Sequence, residues 1–531
     1  MRLNRRSLLS AAALALAGCE APQREITGRF TGIDVQRGHA LRDRRAVPSP
    51  TAQRRAEVLI AGGGVAGLAA ARALRLRGVD DFAVFELEDQ AGGNSRGGRV
   101  EGIACPLGAH YLPVPGDAAG EVQDLLEELG LRRREAGRWV YDERHLCHSP
   151  QERLFFRGAW QEGLLPVQGV GPATIAQYQR FAARVAALQR AAPFAIPVAK
   201  QSPAPLHRAL DARTFAAWLD QEGFGDPHLR WYLDYCCRDD YGAGLATVSA
   251  WAGLHYFASR HGFAAPGRAE DAAGEEHEPL LTWPEGNGWL TQRLAAPLGE
   301  RLRTGRSVLR IAETRHGVVL DALHHASGAV ERWEAARCIV ALPAFIAARV
   351  LQEPPAFVTE AAARLRYAPW LVANLHLDGP LHDVRGAAPA WDNVVYREGE
   401  VTTSLGYVDA RHQSLDPRPG PTVLTAYHAL GELPDGRRRL LEQPWAHWRD
   451  HVLAALAAPH PDLPARTTRI DITRYGHAMA IPTPGLLNAL QPATHRPARL
   501  EAGRLRFAHA DWSGYSIFEE AFTRGHLAGQ A

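Results

Sequence analysis

Gly62, Gly64 and Gly67 stand at GxGxxG spacing, and Glu86 follows 19 positions after the last of them. Residues of these types, so spaced, can hold a dinucleotide. The first glycine makes a tight turn, the second lets backbone approach a pyrophosphate, and the third packs a helix on a strand. The acid can accept hydrogen bonds from a ribose. Particular elements must position them. Val58, Leu59 and Ile60 form the short apolar run of a buried parallel strand, and LAAARALRLRG continues as an amphipathic helix. Phe82–Phe85 reads as a second strand that ends at Glu86. The diphosphate would then rest on the free N–H groups and positive dipole end of the helix. Gly63 and Ala66 belong to the same turn.

After Glu86 comes LEDQAGGNSRGG, in which Gly92 and Gly93 offer a second close approach to the diphosphate. NAD-dependent dehydrogenases do not ordinarily carry that extra pair. Here the chain resembles the flavin-containing amine oxidase superfamily, whose pattern is an acid, a short spacer and a glycine pair usually followed by Arg. In this sequence Asn94 follows the pair, with Arg96 and Arg99 nearby. PLGAHYL (Pro106–Leu112) is similar to the family segment that lies against the flavin ring, which brings in Gly108, Ala109, His110 and Tyr111. The resemblance implies FAD as cofactor. It also implies an α/β fold: a two-lobed FAD-binding Rossmann-like domain of the glutathione-reductase type, with an interleaved α+β substrate domain.

Further motifs are read against the same family. Val308, on the strand in TGRSVLRI, is expected beside the adenine. In RFAHADWSGYSIFEEAFTRG, Asp511 matches the acid that serves the ribityl or diphosphate side, and Phe518 opens the last helix. That helix's dipole would stabilise negative charge on the flavin pyrimidine. His509 and Glu520 stand where relatives have Gly, and a carboxylate at position 520 is costly beside a reduced flavin unless it turns away. Tyr475 matches one wall of an aromatic cage, with Trp512 or Tyr515 as the second wall, unless Ile517 occupies that place. Such faces attract an amine cation or hold an apolar substrate flat. His477 can act as acid/base near neutral pH or serve as a structural hydrogen-bonder.

In WYLDYCCRDDYGAG, Arg238, Asp239 and Asp240 either line a pocket mouth or end a packed helix. Asp240 and Tyr241 are the expected substrate contacts. Many family oxidases place a Lys beside flavin N5 to assist reaction with oxygen. The matching stretch RLRYAPWLVANLHL has none, and the chain's single Lys, Lys200, lies far away, so Asn374 or Trp370 is expected at that spot. Hydride transfer from an amine or similar C–H donor survives this loss, whereas fast oxygen use does not necessarily survive it. The expected electron acceptor is O2 or a quinone. Two alternatives stay open: a flavin-dependent desaturase or isomerase of a lipophilic substrate, and a non-catalytic FAD-binding lipoprotein.

The 531 residues exceed one simple core, so two or more lobes are expected. Sixty basic against 58 acidic residues leave a net charge of +2, which gives no field for nucleic acid. MRLNRRSLLSAAALALAGC combines a basic start with an apolar run, Ser7–Gly18, too short to span a bilayer. Leu16–Cys19 resembles a lipobox and Arg5-Arg6 a twin-arginine signal. Export of the folded protein and lipid anchoring at Cys19, on the periplasmic side of a bacterial membrane, are therefore expected. Without Cys19, five cysteines remain, with no zinc-type spacing, so neither a metal nor a disulfide framework is expected.

The expected organisation follows the motifs: residues 1–19 signal peptide, 20–55 linker, then 56–112, 281–345 and 475–531 as three parts of the FAD-binding domain. Residues 113–280, mainly helical, and 346–474 form the substrate domain.

Overall fold

The structure, a computed structural model, describes residues 24–43, 47–266, 279–397, 402–416, 418–494 and 500–530. The leader with Cys19 and the acidic stretch 268–278 lie outside these residues.

One sheet has six strands in the order Leu302–Arg303, Phe82–Phe85, Val58–Ala61, Arg337–Val340, Leu505–Phe507 and Glu501–Ala502. All but the last pairing are parallel. Val58–Ala61 is wholly buried, as an apolar strand covered on both faces must be. Helix Val65–Leu76 covers one face, together with the C-terminal helix Phe518–Gln530. The other face packs on a four-stranded sheet, Arg306–Glu313, Val318–His324, Val330–Ala335 and Ala52–Arg55. The two helices lie unusually close. A Cβ on Gly525 would come 2.0 Å from the Ala66 carbonyl oxygen, and one on Gly529 would come 2.5 Å from that of Ala70.

The second lobe is built on eight strands, in the order Thr27–Thr31, Thr467–Ile481, Arg366–Leu377, Thr422–Ala429, Ser404–Asp409, Asp392–Val395, Glu152–Phe156 and Ala159–Glu162. Helices Pro172–Ala191, Phe215–Gln221, Pro227–Tyr241 and Ala250–Ala258 bury their aromatic and aliphatic faces on one side. Gly436–Glu442 and Trp445–Leu456 cover the other. The architecture is the expected two-lobed α/β arrangement with interleaved segments.

Two stretches differ from the expected organisation. Residues 27–55 do not run as a tether. Thr27–Thr31 pairs in parallel with the strand holding Tyr475, and Ala52–Arg55 closes the four-stranded sheet. Both are short and mostly polar, which suits edge strands whose one side stays open to water. The return to the nucleotide lobe also comes later than residue 475, because Thr467–Ile481 is one continuous 15-residue strand of the large sheet.

Candidate active site

A cavity of about 460 Å³ joins the glycine turns to the large sheet. Its wall includes Gly62, Gly64, Ala66, Gly92, Gly93, Asn94, Glu86 and Val308 from the first lobe. At Gly62 φ is +105°, and a Cβ there would meet the Ala341 carbonyl oxygen at 2.2 Å, so no larger residue fits the turn. A Cβ on Gly67 would sit 1.8 Å from the Gly62 carbonyl oxygen, so this third glycine packs helix on turn behind the cavity rather than facing it. Gly63 also stays off the wall, and its amide donates to Glu86 Oε2 at 3.0 Å. Glu86 Oε1 accepts from the Glu88 amide at 2.9 Å. Burial raises the Glu86 pKa above the usual carboxylate range, against those amides and the Arg96 charge. The two glycine pairs meet directly: Gly64 bridges Gly92, and the Gly92 amide donates to Gly63 O at 2.8 Å. Arg99 lies outside, exposed and bonded to Gly102 O at 2.9 Å, while Arg96 is buried against Gly93 O at 3.0 Å.

Chain ends converge here. Asp511 lines the cavity, and its Oδ2 accepts from the Tyr367 hydroxyl at 2.5 Å and the Ala344 amide at 2.8 Å. Burial pushes this carboxyl up, but the His509 ring and the two donors outweigh it and hold Asp511 below its ordinary range. Phe518 and Ile517, at the start of the last helix, also face the cavity. Glu520 turns away. Its carboxylate accepts from the Val198 amide and lies beside the buried Arg524, so the charge conflict expected next to a flavin does not arise.

The end of the cavity on the large sheet is aromatic. Trp370 and Tyr475 pair across adjacent strands, and Tyr427 lies on the next strand. Tyr475 donates to Leu107 O at 2.8 Å and Tyr427 to Gly108 O at 3.0 Å, which ties the Gly108–Tyr111 segment to this wall. The His110 ring stacks on Tyr427 with centroids 4.4 Å apart, and burial pushes its pKa down to about 3. Ala109 and Tyr111 line the cavity beside it.

Several expected site residues lie elsewhere. Trp512 is fully buried between Phe357 and Phe507, in the core under the four-stranded sheet, and cannot form a cage wall. Asn374 is tied up off the cavity, donating to Pro106 O at 3.2 Å and accepting from Thr425 Oγ1 at 2.8 Å. Trp370 and Val372 of the same strand occupy the wall instead. Tyr241 donates to Ala252 O at 2.7 Å within the helical core. Tyr515 is buried, its hydroxyl on Asp240 Oδ2. His477 lines the cavity, but burial and then the Arg437 charge push its pKa down to about 4, which removes the expected proton exchange near neutral pH.

Asp239, on the cavity wall with Asp240 and Arg260, was read from the sequence only as part of the Arg238–Asp240 run at a pocket mouth, and not as a substrate contact. Burial, and then the adjacent Asp240, push the Asp239 carboxyl up to about 7. A run of charges in the sequence does not show which of its acids reach a cavity wall, and here both Asp239 and Asp240 do. Asn287 was also missed. It is 2% exposed, lines the cavity, and its Oδ1 has no partner among the described residues. A buried amide oxygen left this way calls for a ligand donor.

The cavity thus fits FAD. It has a glycine cradle with no room for a Cβ at Gly62, a buried acid at the end of the second strand, an orphaned polar atom, and an aromatic chamber at the opposite end.

Residues 65–531 match the family described as flavin containing amine oxidoreductase. An L-amino acid dehydrogenase of Synechocystis sp. is 25% identical over 507 residues, which span 90% of this chain and 94% of that one. The flavin-containing amine oxidase B of Homo sapiens is 26% identical over 304 residues, 56% of this chain and 52% of its own. A putrescine oxidase solved with putrescine bound shares the fold, with a TM-score of 0.65 at 17% identity over 90% of this chain and 98% of that one.

Proposed function

The chain belongs to the flavin-containing amine oxidoreductase family, and from that membership we propose a dehydrogenase that oxidises a cationic amine, L-amino acids included, and passes the electrons to a quinone. It is an FAD-dependent oxidoreductase of amine-oxidase type, as the family and its relatives establish. The cavity would hold FAD, which when bound would supply the acceptor for a hydride from the carbon next to the substrate nitrogen.

The observation that carries the substrate reading is Asp239. An ammonium must lose a proton before its lone pair can assist departure of the neighbouring hydride. A carboxylate on the cavity wall with its pKa at about 7 can take that proton near neutral pH. Asp240 lies beside it, hydrogen-bonded by Tyr515 and ion-paired with Arg260. The Trp370, Tyr427 and Tyr475 rings line the same chamber and attract a cation through their faces. Among the proposed cofactor contacts are Gly62, Gly64 and Ala66 of the first turn, Glu86, Gly92, Gly93, Asn94, Gly108–Tyr111, Val308, Asp511 and Phe518.

The acceptor reading rests on the wall that carries Trp370 and Val372. It presents apolar surface, and Lys200 is ion-paired with Glu121 elsewhere. The L-amino acid dehydrogenase relative, aligned over nearly its whole length, supports this reading. A periplasmic, lipid-anchored location through Cys19 would set the enzyme next to membrane quinones. Anaerobic mixing of the purified holoprotein with amines and L-amino acids tests the substrate class. Loss of the visible flavin band with one of them is the expected result, and no bleaching by any amine refutes the reading.

A further inference from the structure

A second recess, of about 380 Å³, lies behind the large cavity. His477 and Tyr367 line both spaces, so the partition between them is one side chain thick. The partition is firmly held. The Tyr367 hydroxyl donates to Asp511 at 2.5 Å, and the His477 ring stacks on Phe345 with centroids 4.6 Å apart and planes 29° from parallel. Arg437 braces it from the recess side, donating from Nε to Gly476 O at 2.6 Å and from a terminal nitrogen to Tyr367 O at 2.8 Å. Phe345, Ala362, Leu365 and Ile481 form an apolar part of the remaining wall, and Gly431, Arg366 and Arg437 complete it.

We propose that this recess seats the quinone that reoxidises the enzyme, so that amine and acceptor occupy opposite sides of the His477–Tyr367 partition. The inference rests on the dehydrogenase reading above and locates its second substrate. A quinone ring needs an apolar slot, and its carbonyl oxygens need donors at the rim. Phe345, Leu365 and Ile481 supply the first, and the guanidinium groups of Arg366 and Arg437 supply the second. The recess is far larger than dioxygen requires. The quinone gains two electrons and one proton from the reduced cofactor and a second proton from solvent, and leaves as the hydroquinone. Because the two seats are separate, amine and quinone need not displace one another.

Ala362, half-buried on helix Ala356–Arg364, touches the recess and not the large cavity, so Ala362→Trp fills the recess alone. Arg366 is exposed on its strand, and Arg366→Ala removes a rim donor with little risk to folding. Both variants are prepared as holoprotein. A short-chain ubiquinone analogue is titrated into each oxidised protein while the flavin absorbance is followed, and reoxidation of the amine-reduced protein is timed by stopped flow. The expected result in Ala362→Trp is at least about tenfold weaker quinone binding and similarly slower reoxidation, with anaerobic flavin reduction by amine unchanged. Arg366→Ala shifts the same two quantities in the same direction by a smaller factor. Unaltered binding and reoxidation in both variants overturn the recess as the acceptor site, while the dehydrogenase reading stands. A wild-type protein that oxygen reoxidises and the quinone analogue does not overturns the dehydrogenase reading itself, and this inference with it.

Discussion

Asp239 and Asp240 are adjacent on one helix, yet only Asp240 is bound by Tyr515, whose hydroxyl donates to its Oδ2 at 2.5 Å. Burial raises the Asp240 carboxyl too, against the Arg260 charge and the Tyr515 hydroxyl, and the Asp240 charge in turn raises Asp239. Their difference is what makes proton transfer at this site measurable.

Asp239→Asn should lower the rate of anaerobic flavin reduction by amine by about a hundredfold, the usual worth of a positioned proton acceptor. Wild type should gain rate as pH rises through about 7, where Asp239 ionises, and the variant should lose that inflection. The linked stability effect has a definite sign. A carboxyl whose folded pKa is raised binds its proton more tightly folded than unfolded, so wild type loses stability from the usual carboxylate range up to about pH 7. The variant should therefore unfold at a higher temperature than wild type at pH 8, measured on matched holoproteins.

Asp240→Asn should move the same inflection to lower pH without removing it. The Asp240 charge is the second cause holding Asp239 up, after burial, and its loss leaves the Arg260 and Arg238 charges lowering Asp239 against burial and Glu152. Reduction rates recorded from pH 5 to 9 distinguish a displaced inflection from an absent one.

Glu520→Gln should destabilise the fold by about 3–5 kcal/mol, because it removes the negative charge that offsets burial of the Arg524 guanidinium. The flavin reduction potential should stay at the wild-type value, since the carboxylate points to Val198 and away from the cavity. Thermal unfolding and a dye-equilibrated redox titration give the two readings.

Gly62→Ala should yield protein with little bound flavin. The new Cβ would press on the Ala341 carbonyl oxygen and take up a backbone angle that costs about 1–3 kcal/mol for a non-glycine residue. The ratio of visible to ultraviolet absorbance after purification measures it.

The nucleotide half was legible in the sequence because short-range rules govern it. A strand, a glycine turn and a helix are contiguous, and Glu86 and the Gly92–Gly93 pair follow within one βαβ unit. The aromatic chamber was less legible. Tyr475 was found by family likeness, but its partners Trp370 and Tyr427 come from other strands, and only the register of the large sheet sets them side by side. Trp512 misled for the opposite reason. It stands two residues from the cavity-lining Ala510, yet a 3₁₀ turn over Ala510–Ser513 swings its ring into the core. Strands Glu152–Phe156 and Ala159–Glu162 were hidden in a stretch otherwise rich in helical periodicity, being too short to impose a pattern of their own.

Gly525 and Gly529 press the final helix against Ala66 and Ala70, directly behind the first glycine turn. The brace of the cofactor's seat is therefore a segment remote in the chain from the turn it supports. Protein lacking residues 518–530 would keep every glycine of the turn and lose the helix that presses on it, so it should retain little nucleotide.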